Sequence, residues 1–458
     1  MIARNLRLAN IIHPLSSRGR TAFSQSISIR PPNSYNFQRQ PSPAMSPQPK
    51  IAIVGGGPAG LTMGLLLHKH RIPFTIFELR QEPTEEELAE PSGMLDLHVE
   101  SGLAVIKECG LDDDFAPLTG ECTEDFIVAE RSGKILHIMG GDGTRPEISR
   151  NNLTKLLLGN IPTESIKWGH KLLSASIRPA TSSSHDGTET ELDFGTSGQH
   201  TFDLVVGADG AWSKVRQLLT DTKPYYTGMQ NIATTIRGIT KKYPHLAKLV
   251  GSGSFSSFGN KHAVISQRGP FDSSKVYMWL THPDENFATN SGLAGKSAAS
   301  AKDKLLGDNA LLGTYGAAIK ELVATACDEE SADNPGASLD IKALYTLPHG
   351  SSWEHRAGVT LVGDAAHLML PNGEGVNSAM FDSLLLSQAI IKAYKTAEEN
   401  NGSFQVIFDP LLIEYEAALV ERAKEAGNDT EGLIGKMFGT DDAAYDFASF
   451  LQSAQQPE

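Results

Sequence analysis

Lys50-Ile51-Ala52-Ile53-Val54-Gly55-Gly56-Gly57-Pro58-Ala59-Gly60-Leu61-Thr62-Met63 is the stretch on which the fold turns. A β-branched run leads into Gly-x-Gly-x-x-Gly, and an apolar periodic segment, Leu61 to His68, follows it. That order predicts strand, tight turn and helix. Gly55 permits the turn, Gly57 lets a pyrophosphate approach the backbone, and Gly60 lets the helix lie close on the strand. The helix N-terminus offers N–H groups and a partial positive charge to phosphates. Pro73-Phe74-Thr75-Ile76-Phe77 reads as a second strand. It ends in Glu78, near the spacing of about 20 residues at which an acidic side chain receives a ribose hydroxyl. Three glycines alone are a weak signal; with both strands, the helix and Glu78 they predict a dinucleotide-binding fold.

The chain has 458 residues, a formal charge of −14 and three cysteines, Cys109, Cys122 and Cys327. The length allows two to three domains. The acidic balance argues against nucleic acid or an anionic membrane as the main partner. Without a Cys-x-x-Cys pair no thiol zinc site is expected, and the sparse cysteines fit a reducing compartment. No run of about 18 apolar residues predicts a membrane span. Residues 1–44 carry Arg4, Arg7, Arg18, Arg20, Arg30 and Arg39, many serines and prolines, and no acid. They read as a mitochondrial presequence or as a segment upstream of a true start at Met45. The expected location is accordingly mitochondrial in the first case and cytoplasmic in the second.

Further along, Ser101 to Cys109 predicts a helix ended by Gly110, and Phe126 to Ile138 a hairpin. Ile148-Ser149-Arg150-Asn151-Asn152-Leu153 opens another helix, and Thr181 to Thr190 reads as a polar hairpin tip. Phe202 to Gly210 reads as a buried strand running into an Asp209-Gly210 turn. Residues 223–339 change to short β-rich runs with a helical block from about Ala298 to Ala326. Val359-Thr360-Leu361-Val362-Gly363-Asp364 is a strand ending in Gly-Asp, and a Gly-rich crossing, Pro371 to Asn377, precedes a helix from about Val376. A helical arm, Phe404 to Gly427, and a segment near Phe447 close the chain. Gly251-Ser252-Gly253 lacks the strand-to-helix context and reads as a turn.

These three motifs in this order resemble the FAD-dependent aromatic hydroxylases, the group A flavin monooxygenases of p-hydroxybenzoate hydroxylase fold. The similarity runs from about residue 48 to 400. Gly93-Met94-Leu95-Asp96-Leu97-His98 and the run from Ile148 to Leu153 look most like the tetracycline-inactivating monooxygenases, and fungal biosynthetic monooxygenases are also similar. The resemblance implies an α/β fold: a Rossmann-like FAD domain (48–106, 140–222 and 340–397), an inserted β-sheet substrate domain (107–139 and 223–339) and C-terminal helices (398–458).

It also implies roles for residues. Gly55, Gly57 and Gly60 would hold the pyrophosphate, Glu78 the adenosine ribose, and Asp364 the ribityl or pyrophosphate portion. Arg150 and Asp96 would lie at the FAD, with Asp209 in the second motif. Backbone N–H groups from Gly373 to Asn377, Gly375 included, would face the flavin N1 and C2 carbonyl, where a helix start stabilises the anionic reduced ring. Two positions depart from the pattern. Ala89 stands where the tetracycline-inactivating relatives carry an arginine assigned to NADPH, and Glu374 stands where many members have glutamine.

The activity so implied is NAD(P)H reduction of FAD, addition of O2 at C4a, and hydroxylation or epoxidation of a small aromatic or polycyclic metabolite by a C4a-hydroperoxyflavin. A monomer is expected. Flavin carries the chemistry, so no side-chain triad is required, and none is signalled. Arg237, His262, Gln267 and Tyr277 are the polar candidates for substrate contact from the β-rich region. A flavin oxidase or dehydrogenase on the same fold is the alternative; it would reduce FAD from substrate without NAD(P)H.

Overall fold

A computed structural model describes residues 48–179 and 188–454. The presequence expected at 1–44 and most of the tip expected at 181–190 lie outside these residues.

The buried, β-branched run Ile51–Val54 lies in the middle of a five-stranded parallel sheet. Its order is Val359–Leu361, Leu204–Gly207, Ile51–Val54, Thr75–Phe77, Ile166–Lys167. Parallel strands buried on both faces need near-continuous apolar sequence, which these short runs supply. The registers Val54↔Gly207 and Gly207↔Leu361 bring the C-terminal ends of three strands to one level. All three sequence motifs therefore emerge together at one sheet edge, the crevice where ligands of open α/β sheets bind.

Helix Pro58–Lys69 covers one face of the sheet and packs on the long helix Glu374–Asn400. The Ser383 hydroxyl, which donates to the Ala59 carbonyl at 2.9 Å, fastens the two. Ser101 precedes a helix over Gly102–Cys109, and left-handed Gly110 (φ 68°) ends it as the sequence predicts.

A second, seven-stranded sheet has the order Asp340–Thr346, Tyr225–Ile236, Ser273–Thr281, His262–Gly269, Ser254–Gly259, Phe126–Glu130, Ile135–Met139. The hairpin expected near 126–138 supplies its last two strands. The strand Asp340–Thr346 pairs with Tyr225–Ile236, so this sheet extends past residue 339. The turn at Gly251 follows helix Pro244–Val250 and precedes strand Ser254–Gly259, the reverse of a phosphate-binding order.

Alternation gives the sheet two faces. Ile232, Val264, Val276 and Met278 pack on helices that include Ala298–Gly307 and Ala317–Asp333. The opposite face, with Ala263, Ile265, Tyr277 and Trp279, meets Phe438 and Phe447 of the C-terminal helices and also turns toward the first domain. The helical arm is longer than predicted: Phe404–Phe438, then Ala443–Ala454. Its Pro410 lies inside the helix, beyond the first turn, so the bond to the Val406 carbonyl is forfeited there. Among the described residues no helix is long and apolar enough to cross a membrane.

A half-buried imidazole locks the arm to the parallel sheet. His355 contacts Glu416 (2.8 Å) and Asp409 (3.0 Å), and Glu416 accepts from the Thr360 hydroxyl at 2.9 Å. Burial pushes the His355 pKa down, but the two carboxylates outweigh it and hold the ring above its ordinary 6.5. Stability from this contact is therefore full below pH 6.5 and is lost as pH rises through the raised value. His355→Gln should remove on the order of 1 kcal/mol, or about 2 °C of Tm, at pH 6 and less at pH 9. Equal losses at both pH values in thermal melts would show that the ring contributes no charge.

Candidate cofactor and substrate site

The fingerprint glycines divide the work as their spacing predicts. Gly55 has φ 113°, and a Cβ there would lie 2.1 Å from the Ala208 carbonyl oxygen. A Cβ on Gly60 would lie 1.9 Å from the Gly55 carbonyl oxygen. One on Gly57 would meet nothing within 4 Å, so the turn opens into free space where a phosphate fits. No side chain caps the helix that follows, leaving its first N–H groups to such a ligand.

Glu78, 5% exposed, sits beside this turn. One carboxylate oxygen accepts from Gly56 N at 2.6 Å; the other accepts from Arg80 N (2.9 Å) and Arg80 Nε (2.8 Å). Burial pushes its pKa up, but Arg80 and the backbone N–H groups outweigh it and hold the carboxyl below its usual range. It is an ionised acceptor, braced against the glycine turn.

The second motif is mostly self-contained. Asp209 accepts from the Ser213 hydroxyl (2.5 Å) and from Lys214 N (2.7 Å), so its carboxylate caps its own turn. Arg216, which the sequence reading passed over, links this turn to the third motif: its Nη1 donates to Ala365 O at 2.9 Å and its Nη2 to Ala211 O at 2.6 Å. Asp364 is open to solvent in the concave space between these motifs. The surrounding protein pushes its pKa up, and His367 and Arg150 counter this with positive charge. Arg150 opens helix Arg150–Leu158 behind its Ser149 cap, in the expected segment.

The far end of the crevice is built by residues widely separated in sequence. Strand Met94–Asp96 pairs with Glu147–Ser149 and lies against the turn before helix Glu374–Asn400. A Cβ on Gly373 (φ 90°) would stand 3.0 Å from Asp96 Oδ1, whereas one on Gly375 would meet nothing within 4 Å. The fully buried Asn377 amide ties the two segments. Its oxygen accepts from His98 N (2.9 Å), Gly102 N (3.2 Å) and Ser101 Oγ (3.3 Å), and its Nδ2 donates to Asp96 O (2.8 Å) and Gly373 O (3.0 Å). Asn377 thus acts by fixing the helix start rather than by reaching a ligand with its side chain.

Of the four substrate candidates, the structure brings two to this end. Tyr277 Oη would lie 2.6 Å from a Cβ on Gly93, and Gln267 accepts from Met94 N (3.2 Å) while donating to Glu147 Oε2 (3.0 Å). Tyr277 is pushed up to about 12 by burial, with Arg150 opposing and Glu147 reinforcing the shift, so it keeps its proton. His262 lies on the opposite face and nearer the other end of its strand. Its ring contacts Ala310 O at 2.9 Å and accepts from Thr281 N at 3.1 Å. Arg237 is held by Glu90 and by Asp333. Asn231, missed in the sequence, shares the Tyr277 face through the register Ala233↔Tyr277, and its shielded Oδ1 meets no donor.

A family model described as an FAD-binding domain matches residues 48–301 and 329–401. The chain is 35% identical over 405 residues to monooxygenase penA of Penicillium thymicola, covering 82% of this chain and 92% of that one. It is 34% identical over 419 residues to monooxygenase asqM of Emericella nidulans, covering 82% and 93%. The chain belongs to the FAD-dependent monooxygenases of group A. The structure of HpxO from Klebsiella pneumoniae complexed with FAD and uric acid superposes with a TM-score of 0.67 at 18% identity, over 88% of this chain and 92% of that one. The α/β fold with its FAD-binding domain is that of the family.

The residues present fit FAD. The open space at Gly57 and Gly375, the uncapped helix, the ionised Glu78 and the Asp364 carboxylate run the length of the crevice. Replacing Glu78 by alanine should leave the fold intact and weaken FAD roughly 10- to 150-fold, because a hydrogen bond to a charged group is worth about 1.5–3 kcal/mol. Unchanged affinity in a fluorescence titration would remove Glu78 from the site.

Proposed function

We propose that this monooxygenase takes electrons from NAD(P)H and one atom of O2 to hydroxylate or epoxidise a small aromatic or polycyclic metabolite. The observation that carries this reading is the composition of the sheet face opposite Met94–Asp96. It is apolar through Ala233 and Ile265, and it carries a protonated Tyr277, the Gln267 amide and the unpaired Asn231 oxygen. An apolar wall with a few convergent polar groups suits a planar, sparsely polar substrate. Bound FAD supplies the redox and oxygen chemistry.

The protein's share is orientation, electrostatics and exclusion of water. Tyr277 can donate to a carbonyl or phenolate oxygen, and Asn231 can accept from a hydroxyl or N–H. The N-terminus of helix Glu374–Asn400, held by Asn377, would favour negative charge on a flavin bound beside it.

The test uses the purified yellow protein with NADH or NADPH, 18O2 and candidate phenolic or polycyclic substrates. Product carrying one 18O atom in proportion to NAD(P)H consumed is the expected result. Turnover by substrate alone with stoichiometric hydrogen peroxide would replace this reading by the oxidase alternative.

A further inference from the structure

His98 is 1% exposed and stands between charges on both ring nitrogens. Its Nε2 faces Asp96 Oδ2 at 3.1 Å and Arg145 Nη1 at 3.2 Å; its Nδ1 faces Glu374 Oε1 at 3.7 Å. Glu147 lies beyond Asp96 across the two-stranded ladder, and Glu124 holds the Arg145 backbone N–H at 3.1 Å. One nitrogen cannot donate to Asp96 and accept from Arg145 at once. A neutral ring protonated at Nδ1 satisfies Arg145 and Glu374 but turns a lone pair toward Asp96. An imidazolium satisfies both carboxylates and leaves Arg145 without an acceptor there. Neither protonation state satisfies all three partners, while Asn377 Oδ1 accepts from the His98 backbone N–H.

Charge decides between them. With Asp96 and Glu374 ionised and Arg145 cationic, the cluster carries −1 with a neutral ring and zero with an imidazolium. It adjoins the helix start assigned above to the reduced flavin. Resting on that reading, we propose that His98 is a proton-uptake site coupled to flavin reduction, with Glu374 as the carboxylate that sets its affinity. Two electrons and one proton leave NAD(P)H together, yielding NAD(P)+ and an anionic reduced ring. One further proton then passes from solvent to His98, so two protons accompany two electrons at the enzyme. Glu374 thereby offsets its own repulsion of the reduced cofactor, because it stabilises the compensating imidazolium.

The experiment is spectroelectrochemical: the midpoint potential of enzyme-bound FAD measured at intervals from pH 5 to 9. In the wild type, a window of pH should show the slope of two protons per two electrons, flanked by regions with half that slope. His98→Gln should show the half slope throughout. Glu374→Gln, a milder change in the first turn of its helix, should keep the window but move it to lower pH by about one unit. The proposal is overturned if His98→Gln keeps the wild-type profile, or if the window stays in place in Glu374→Gln. A wild-type protein that binds no FAD would instead overturn the cofactor reading beneath it.

Discussion

Gly60→Ala is expected to melt far below the wild type and to retain no FAD. The added methyl would lie 1.9 Å from the Gly55 carbonyl oxygen, 3.1 Å from its carbon and 3.3 Å from Ile53 Cγ2. The first two are backbone atoms of the turn itself, so relief requires the helix to lift away from the strand. That helix is buried from Ala59 through Leu67 and packs on helix Glu374–Asn400, which also carries the far end of the site. Overpacking usually costs about 1–3 kcal/mol. Here no rotamer can absorb it, and a loss of about 4 kcal/mol or more is expected.

Gly57→Ala isolates the other half of the argument. Its Cβ meets nothing within 4 Å and its φ of −81° suits alanine, so Tm should stay near that of the wild type while FAD affinity falls. Thermal melts and FAD titration of the two variants distinguish packing from binding. Unchanged FAD affinity in Gly57→Ala would mean that the open space is not the pyrophosphate's.

This contrast explains what was legible in the sequence. The first motif works through its own backbone, and glycine at three fixed offsets records that directly. Glu78 is readable for the same reason, because a strand of known length carries it to the turn. Asp209 was readable as a turn former, but the capping of its carboxylate by Ser213 and Lys214 depends on the conformation downstream. Side-chain ties across long separations leave no local signature. Asn377 bonds His98, 279 residues away, and Arg216 reaches Ala365 across 149. Residue type alone chose the substrate candidates, whereas strand parity decides which of them face the crevice. Gln267 and Tyr277 share one face; His262, an odd number of positions from Gln267, falls on the other. The start of helix Glu374–Asn400, two residues earlier than the apolar pattern indicated, was hidden because Gly373 enters it from the left-handed region and its first N–H is taken by Asn372 Oδ1, one residue before the usual cap position.

Asp382→Ala should be nearly as damaging as Gly60→Ala, although Asp382 meets the crevice from behind, through the backbone N–H of Gly363. Its carboxylate is 2% exposed. Oδ2 accepts from Gly363 N (3.1 Å) and meets His367 Nε2 (2.5 Å), while Oδ1 accepts from Arg422 Nη2 (3.1 Å). Truncation strands a largely buried cation and a backbone N–H in the turn that presents Asp364. Breaking a buried pair on one side costs about 3–5 kcal/mol. FAD affinity should fall with stability, since the Gly363–Asp364 turn loses its anchor.

The pH dependence identifies the charge. For Asp382, burial raises the pKa, but His367 and Arg422 prevail and hold it below its ordinary 3.8. For His367, burial lowers the pKa, but Asp382 prevails and holds it above its ordinary 6.5. The aspartate's contribution is therefore lost as pH falls below 3.8, and the histidine's as pH rises above 6.5 through its raised value. The Tm gap between wild type and Asp382→Ala should be widest between about pH 4 and 6.5 and narrow on both sides. A gap that does not change with pH would assign Asp382 a role in packing alone, with the His367 ring neutral.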